Sequence, residues 1–376
     1  MKILVFFTYG VSLRTWDKAG LLEREVMLYK KLKDRYNVEV TFLTYGDEND
    51  YSYMNTTNGI NIVPIYSILK KPKNKFLSLV KSFFIPFLLK NLFQQHDLLK
   101  TNQMFGSWVA IIAGKIYSKP LLLRTGYELY SFSIQAKKSL FFRWFVYILS
   151  FIAYKSSNKI HVSSAMDKRF ILEKFRTRNS AVEVIPNWID CYKFNNIKPH
   201  SKRKNRLLFV GRLNKQKNIP FLLKAILNTK IGLDIVGSGE MLEELRSFVI
   251  SNNIDVNFLG SKSNSEMPEI YNNYRIFVLP SDYEGNPKAL LEAMSCGCTV
   301  VGRFVPGIEE LVSNNINGIL VEDSSKALRE KIFEVINNFE HTGTLGNEAS
   351  KTIIQTNSLQ KILSCEFSAY ERLVKN

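Results

Sequence analysis

The sequence predicts an α/β protein with two doubly wound parallel sheets, one in each half of the chain. Short apolar runs alternate with amphipathic stretches of helical length along all 376 residues, and this alternation is typical of parallel sheets covered by helices on both faces. A chain of this length also exceeds what one hydrophobic core usually serves. We therefore expect two domains that face each other across a cleft, with ligands bound outside the carboxyl ends of the strands.

The first half of the chain supplies one predicted sheet. Its apolar runs are predicted to be strands, namely Ile3–Phe7, Val38–Leu43, Leu98–Thr101, Leu121–Arg124 and Lys159–Val162. Stretches with helical spacing lie between them, at Leu21–Lys33, Trp108–Tyr117 and Phe141–Tyr154.

The second half supplies the other sheet. Its predicted strands are Leu207–Val210, Leu233–Val236, Val256–Leu259, Ile276–Leu279, Thr299–Gly302 and Gly318–Val321. Its predicted helices are Ile219–Ala225, Glu240–Asn252, Pro287–Ser295 and Lys326–Asn338.

A polar, charged run around Pro199 is typical of a linker, and we place the seam near residues 190–205. It divides the chain into a first domain over 1–195 and a second domain over 196–355. The remaining segment, 356–376, contains the amphipathic stretch Ser358–Lys375 and is predicted to form a last helix.

The positive charge is concentrated in the first domain. Of the formal net charge of +17, residues 1–195 carry +15 and the rest of the chain carries +2. A basic surface confined to one half indicates a polyanionic partner there. We favour an anionic membrane over nucleic acid, because no zinc, helix-turn-helix or aromatic-plus-basic signature accompanies the charge.

Two apolar stretches of the first domain bear on membranes. Neither Phe76–Phe93 nor Leu140–Tyr154 reaches the roughly 20 predominantly apolar residues of a spanning helix. The first mixes lysines with Phe and Leu, so it fits a position in a membrane interface as well as it fits packing on the domain's own core, and both interpretations stay open. The second contains Arg143 and is predicted to pack on the core.

The four cysteines, Cys191, Cys296, Cys298 and Cys365, are too few and too scattered for a disulfide framework, and no zinc site is predicted. The N-terminal run fits a buried strand better than a secretory signal. We expect a cytoplasmic protein, peripheral on the cytoplasmic face of the plasma membrane where its basic half docks.

A basic loop follows the first predicted strand of the second domain. Gly211 lets the chain turn, and Arg212 and Lys217 then project from the carboxyl end of the strand. Two cations there suit a diphosphate, since Arg binds bidentately and Lys neutralises charge at a point. A solvated basic loop explains this motif equally well when it is taken alone. Gly237, after the next strand, indicates a tight turn at which the backbone comes close to another part of the chain or to a ligand.

The most informative segment runs from Glu284 to Glu292. It follows the strand Ile276–Leu279, and a helix is predicted to start there with Asn286 as its cap and Pro287 at its first position. The free N–H groups and the positive dipole end of such a helix suit a phosphate. Carboxylates accept hydrogen bonds from the vicinal hydroxyls of sugars, and the spacing directs the two acids to different parts of one ligand.

On these motifs the chain resembles the retaining family 4 glycosyltransferases, also called glycosyl transferases group 1, whose fold of two Rossmann-like domains is named GT-B. The resemblance covers most of the chain and is most specific over residues 207–322, in FVGRLNKQKN, VGSGE, FLGSKS, EGNPKALLE and VPGIEELVSNNINGILV. It implies a hexosyltransferase that takes a UDP- or GDP-sugar, needs no bound metal and glycosylates a lipid-linked or polysaccharide acceptor in cell-surface glycan biosynthesis. It also implies that the last helix crosses back onto the first domain.

The resemblance further implies roles for single residues. Arg212 and Lys217 would bind the donor diphosphate and stabilise the leaving group. Glu284 would orient the donor sugar, and Glu292 would hydrogen-bond the ribose hydroxyls. The remaining donor contacts would come from the two glycine turns and the start of the helix, at Gly211, Gly237, Gly285, Asn286, Pro287, Lys288 and Ala289.

The chain departs from the family pattern in its first domain. Many relatives carry a glycine pair where this chain has Tyr9–Leu13, and many carry a site histidine where it has Arg124–Glu128. Arg124 or Glu128 would then handle the acceptor. Two alternatives stay open beside the transferase: a nucleotide-sugar epimerase or hydrolase of the same fold, and, more weakly, a basic nucleic-acid-binding protein.

Overall fold

The computed structural model describes residues 1–375, and its internal contacts divide the chain into two compact units. Unit 1 comprises Met1–Ile185 together with the segment from Leu363 onward, and unit 2 comprises Pro186–Ile362. Each unit contains its own parallel β-sheet with helices between successive strands.

The sheet of unit 1 has seven parallel strands in the order β3-β2-β1-β4-β5-β6-β7 within the described residues. The strands are β1 Lys2–Phe6, β2 Glu39–Thr44, β3 Asn61–Pro64, β4 Leu98–Thr101, β5 Leu121–Thr125, β6 Lys159–Val162 and β7 Val182–Val184. The helices are α1 Leu13–Lys18, α2 Leu22–Tyr36, α3 Met54–Thr57, α4 Ile65–Ile68, α5 Lys75–Ser82, α6 Ile85–Leu88, α7 Lys90–Gln94, α8 Ser107–Ile116, α9 Leu129–Gln135, α10 Leu140–Ser156 and α11 Ala165–Phe175.

The sheet of unit 2 has six parallel strands in the order β10-β9-β8-β11-β12-β13, counted over residues 1–375. The strands are β8 Lys204–Val210, β9 Leu233–Val236, β10 Val256–Gly260, β11 Tyr274–Leu279, β12 Thr299–Arg303 and β13 Ile319–Val321. The helices are α12 Ile219–Ile226, α13 Leu242–Ser251, α14 Met267–Asn272, α15 Lys288–Ser295, α16 Pro306–Glu309, α17 Ser325–Asn337 and α18 Phe339–Thr356, and α19 Leu359–Lys375 begins in unit 2 and runs into unit 1.

Both units follow the doubly wound pattern that the sequence predicts, so the predicted fold class is confirmed. Every predicted strand and helix is present, with ends shifted by at most three residues. The structure adds the short edge strands β3 and β7, which are four and three residues long and too brief to show a period. It also adds α18, over most of a stretch for which the sequence predicts no element.

Helix α18 is not predicted from residue propensities because it contains Gly343 and Gly346, and glycine is a poor helix former. Gly346 has a packing reason: a Cβ at this position would overlap the carbonyl oxygen of Gly297, so only glycine lets the helix approach that turn. Close packing of α18 on the sheet outweighs its weak local preference.

Helix α10 only partly fulfils its prediction. One face packs on the core through Val146, Leu149 and Ala153, as expected. The opposite face is also apolar but is exposed, with Phe141 at 78% and Trp144 at 61% of their full accessible surface. No helix among residues 1–375 is both long enough and apolar enough to cross a membrane.

A buried charged cluster attaches α19 to the sheet of unit 1. Lys100 on β4 and Glu366 on α19 are both fully buried, and Lys100 Nζ lies 3.0 Å from Glu366 Oε2. Lys100 also donates to the hydroxyl of Tyr370 at 2.5 Å, and Arg124 lies 3.3 Å from the other carboxylate oxygen. Burial raises the pKa of Glu366, but the charges of Lys100, His161 and Arg124 outweigh burial and hold this pKa well below its usual value.

Replacing Glu366 with alanine is expected to lower the free energy of unfolding by about 3–5 kcal/mol, because Lys100 would be left as a buried charge without its carboxylate. Urea denaturation followed by circular dichroism measures the change. The matched control is Glu371→Ala on the same helix, which removes a largely exposed pair with Lys375 and should cost less than about 1 kcal/mol. Equal losses in the two variants would contradict the assignment.

Candidate functional site

The predicted donor segments follow two neighbouring strands of unit 2. Strands β8 and β11 pair in parallel, with Leu207 opposite Ile276 and Leu208 opposite Phe277. The strand order reverses between them, since the chain leaves β8 for β9 on one side and reaches β11 on the other. Such a switch point opens a crevice outside the carboxyl ends of the strands, where doubly wound sheets bind ligands.

The loop after β8 is fixed against the loop after β9 by backbone contacts. The N–H of Gly211 donates to Val236, and that of Leu213 donates to Ser238, at 3.0 and 2.9 Å. Gly237 has φ of +138°, and a Cβ there would overlap the carbonyl oxygen of Gly211. The glycine is therefore required by close backbone approach, as its sequence context predicts.

The loop after β8 is also fixed against the loop after β11. Gln216 accepts from the N–H of Asp282 at 2.9 Å and donates its amide to the carbonyl of Tyr283 at 2.9 Å. Lys217 forms an ion pair with Glu284, and both side chains are largely buried. The structure thus brings together Lys217 and Glu284, two residues that the sequence assigns to one ligand from separate motifs.

Arg212 lies five residues before Lys217 in the loop after β8, is exposed, and makes no ion pair among the residues that the structure describes. The site therefore contains one cation bound to a carboxylate and a second cation available to solvent. Lys288 and Ala289 begin α15 directly after the loop that follows β11, and both are partly exposed. This arrangement can bind an anionic group whose charge exceeds one unit.

Glu292 lies in the second turn of α15 and is 7% exposed. Its Oε2 accepts a hydrogen bond of 2.9 Å from the hydroxyl of Tyr271, which is fully buried. Burial and the charge of Glu292 raise the pKa of Tyr271 well above its usual value, so this hydroxyl remains a neutral donor. Tyr271 fixes the direction of the carboxylate.

The predicted cap of α15 is wrong. Pro287 occupies the N-cap position with an extended backbone, and no side chain caps the helix. Asn286 is used differently, because its side-chain oxygen accepts from the N–H of Asn187 at 2.9 Å and its backbone carbonyl accepts from the Asn187 amide at 2.7 Å. The first turn of α15 therefore lacks the side-chain acceptor that a capping asparagine would supply.

Two residues that support the site were not singled out from the sequence. Asn187 lies between β7 and β8, and its backbone carbonyl also accepts a hydrogen bond from the side-chain amide of Asn357. Gly307 in α16 packs directly on the loop after β11, where a Cβ would overlap the carbonyl oxygens of Glu284 and Gly285. Gly307 lies in the motif VPGIEELVSNNINGILV and Asn187 lies in VIPNWID, which also resembles the family pattern, but neither residue carries a reactive group that would mark it.

The two residues proposed for the acceptor have structural partners inside unit 1. Arg124 approaches the buried Glu366. Glu128 caps α9 and accepts from Ser131 N–H at 2.5 Å and from the hydroxyl of Tyr154 at 2.9 Å. Burial raises the pKa of Glu128 to about 6, although these two hydrogen bonds act to lower it. A role of either residue toward the acceptor stays a prediction.

Two family models match the chain in succession. The model described as Glycosyltransferase Family 4 matches residues 26–193, and the model described as Glycosyl transferases group 1 matches residues 193–352. The chain belongs to the family 4 glycosyltransferases. It is therefore a GT-B transferase that acts on nucleotide sugars, as the resemblance in its motifs implies.

Several relatives of this glycosyltransferase match along nearly the whole chain. An uncharacterised glycosyltransferase of Methanocaldococcus jannaschii is 28% identical over 92% of both chains. The N,N′-diacetylbacillosaminyl-diphospho-undecaprenol α-1,3-N-acetylgalactosaminyltransferase of Campylobacter jejuni is 26% identical over 95% of this chain and 97% of its own. Among solved structures, Anabaena HepE in complex with UDP superposes with a TM-score of 0.78 at 18% identity, covering 99% of this chain and all of its own.

Replacing Gly307 with alanine is expected to weaken binding of the donor's nucleoside diphosphate tenfold or more, because the new methyl group displaces the loop that holds Glu284. Calorimetric titration of the wild type and the variant with UDP and with GDP measures the effect. Gly343→Ala in α18 is the control, since a Cβ there meets no atom closer than 3.8 Å. Unchanged affinity in a folded Gly307 variant would contradict the positioning role.

Proposed function

We propose that this glycosyltransferase is a retaining hexosyltransferase that moves a sugar from a UDP- or GDP-sugar to a lipid-linked or polysaccharide acceptor, in cell-surface glycan biosynthesis at the cytoplasmic face of the membrane. The observation that carries the proposal is the junction of two loops at the switch point of unit 2, which the Lys217–Glu284 pair joins and one of which carries the exposed Arg212. The names of relatives support the acceptor class, since the Campylobacter jejuni enzyme acts on a diphospho-undecaprenol sugar.

In this proposal the two cations act on the leaving group. The bond between the anomeric carbon and the phosphate oxygen breaks, and its electron pair stays on the diphosphate. Arg212 and Lys217 neutralise the charge that develops there, and they do so without reorganisation because Glu284 and Gln216 already hold their loop. The acceptor oxygen attacks from the side that the diphosphate leaves, and its proton passes to the phosphate oxygen, so the anomeric configuration is retained.

The remaining donor contacts are assigned to the carboxylates. Glu292, oriented by Tyr271, accepts from the ribose hydroxyls, and Glu284 accepts from a hydroxyl of the donor sugar while it keeps Lys217 in place. The backbone of Gly285–Ala289 contacts the sugar and the phosphate. Both carboxylates are largely buried, which makes each a strong acceptor once its ligand excludes water.

The decisive experiment offers the purified enzyme labelled UDP- and GDP-sugars with and without an undecaprenyl-diphosphate-linked sugar, and the anomeric configuration of the product is read by NMR. Transfer to the lipid-linked acceptor with retention supports the proposal. An inverted product would contradict the stereochemistry. Donor turnover to free sugar or to an epimer, equal with and without acceptor, would favour the hydrolase or epimerase alternative. Tight duplex binding without affinity for nucleotides would favour the nucleic-acid alternative.

Replacing Lys217 with alanine is expected to lower kcat by about a hundredfold or more, since one of the two cations that stabilise the leaving diphosphate is lost. Initial rates at saturating donor measure this loss. Lys215→Ala removes an exposed cation from the same loop, so it serves as the control and should keep its rate within about twofold. A folded Lys217 variant with the wild-type rate would refute the assignment.

Removing divalent metal is expected to leave the transfer rate unchanged, because we propose that Arg212 and Lys217 take the electrostatic role at the diphosphate. No group of three or more His, Cys, Asp or Glu side chains that could hold a metal ion is found in residues 1–375. Rates before and after dialysis against EDTA provide the measurement. Loss of activity that returns on adding Mg²⁺ or Mn²⁺ would overturn this part of the proposal.

A further inference from the structure

One face of unit 1 exposes two groups of apolar side chains. The first lies on α5–α7, where Phe76 is 73% exposed and Phe84, Phe87 and Leu88 each exceed half exposure. The second is the outer stripe of α10, with Phe141, Trp144, Phe151 and Ile152. We call these two groups together the aromatic–lysine face.

The two groups lie on the same side of the sheet. The connections from β3 to β4, from β4 to β5 and from β5 to β6 all run in one direction across the strand order, so right-handed crossovers place their helices on one face. Helix α8 lies against both α6 and α10. Trp108 on α8 donates to Ser82 of α5 at 2.8 Å, and Tyr117, directly after α8, donates to the carbonyl of Pro86 at 2.9 Å.

The outer stripe of α10 is not a by-product of core packing. Phe141, Trp144 and Phe151 recur at helical spacing, while the buried stripe of Val146, Leu149 and Ala153 faces the other way. A helix that is apolar on both sides belongs in an apolar environment on both sides. Groups of large exposed apolar side chains with polar surroundings mark interaction surfaces on soluble proteins.

The charge around the face identifies its occupant. The two stretches that carry the face, 65–94 and 129–156, contain ten Lys or Arg and no Asp or Glu. Exposed lysines occupy both groups of the face, Lys75, Lys81 and Lys90 on α5–α7 and Lys137 and Lys138 directly before α10. The occupant must therefore be apolar and negatively charged.

A second copy of the chain does not meet this requirement. A twofold contact through the face would bring two lysine-rich surfaces together, and like charges at close range repel. An anionic bilayer does meet it, because its acyl chains take aromatic side chains and its phosphates attract lysines. Tryptophan is also enriched at the boundary between acyl chains and headgroups.

A cavity of about 240 Å³ opens within the α5–α6 part of the face. Its lining is mostly apolar and includes Leu69, Phe84, Ile85 and Leu88, and its charged residues are Lys70 and Lys81. An apolar cavity with lysines in its lining suits a lipid tail whose phosphate remains at the surface.

We propose that the aromatic–lysine face docks unit 1 on an anionic lipid bilayer, with Phe141 and Trp144 inserted among the acyl chains. The inference deepens the proposed function, on which it rests for its purpose, by naming the surface that meets a membrane-held acceptor. Its test contains no sugar donor, so failure to dock and failure to transfer are observed separately.

The test is co-sedimentation of the full chain with vesicles of phosphatidylcholine containing 30 mol% phosphatidylglycerol, compared with pure phosphatidylcholine. The wild type should bind the anionic vesicles, and binding should weaken between about 0.1 and 0.5 M salt. A Phe141→Ser, Trp144→Ser variant should lose at least tenfold in affinity. A Lys75→Gln, Lys81→Gln, Lys90→Gln variant should lose tenfold or more at low salt, since each lysine near an anionic surface contributes about a factor of five.

Matched controls come from unit 2, whose exposed residues are proposed to stay in water. Ile250→Ser with Ile316→Ser removes two exposed apolar side chains, and Lys224→Gln, Lys230→Gln, Lys326→Gln removes three exposed charges. Both controls should bind vesicles as the wild type does, and all variants should melt at the same temperature.

Three outcomes would overturn the proposal. They are no binding of the wild type to anionic vesicles, equal losses in the face variants and their controls, and a wild type that forms dimers which the Phe141→Ser, Trp144→Ser variant abolishes. The last outcome would mean that a second copy covers the face. Transfer to a water-soluble acceptor should be unchanged in the face variants, because none of the replaced residues belongs to the donor site.

Discussion

The proposed donor site depends on one topological constraint, the reversal of strand order between β8 and β11. Adjacent parallel strands there lead into loops that diverge, so their carboxyl ends leave a crevice that backbone cannot fill. The two loops are then joined across it by the Lys217–Glu284 pair and by Gln216. Glu284 compensates the charge of the largely buried Lys217. The pair also keeps Lys217 next to the crevice where we propose that a diphosphate binds.

Unit 1 has the same strand reversal, between β1 and β4, but fills it with different chemistry. The N–H of Tyr9 donates to the carbonyl of Phe105 at 3.1 Å, and the ring of Tyr9 packs against Tyr45, Phe105 and Trp108 at 5.0–6.1 Å. The same topology thus carries charged side chains in unit 2 and a packed group of aromatic rings in unit 1, where Tyr45 and Trp108 are buried.

The sequence predicts the elements that have a period and the groups that have a charge. Long strands and helices follow from spacing. The candidate residues Arg212, Lys217, Glu284 and Glu292 follow from their charge near predicted strand ends together with the family resemblance, and their roles stay predictions. The residues that the sequence does not predict are fixed by tertiary contacts, which leave neither a period nor a charge in the sequence. Asn286 has the residue type of a helix cap, yet Asn187, about a hundred positions earlier, binds both of its oxygens. Gly307 matters only because two carbonyls lie where its side chain would be.

The outer stripe of α10 is a second feature that the sequence does not predict, because its apolar residues are exposed. Phe141 and Val146 are both apolar, and sequence hydropathy gives no reason to place one in solvent and the other in the core. Tertiary packing decides, because α8 and the sheet occupy only one side of the helix. On the other face of the same sheet, Lys100 is buried, and Glu366 on α19 compensates its charge. Unit 1 therefore buries a charge where a carboxylate is available and exposes aromatic rings where lysines surround them, and the anionic lipid surface that we propose would account for this exposure.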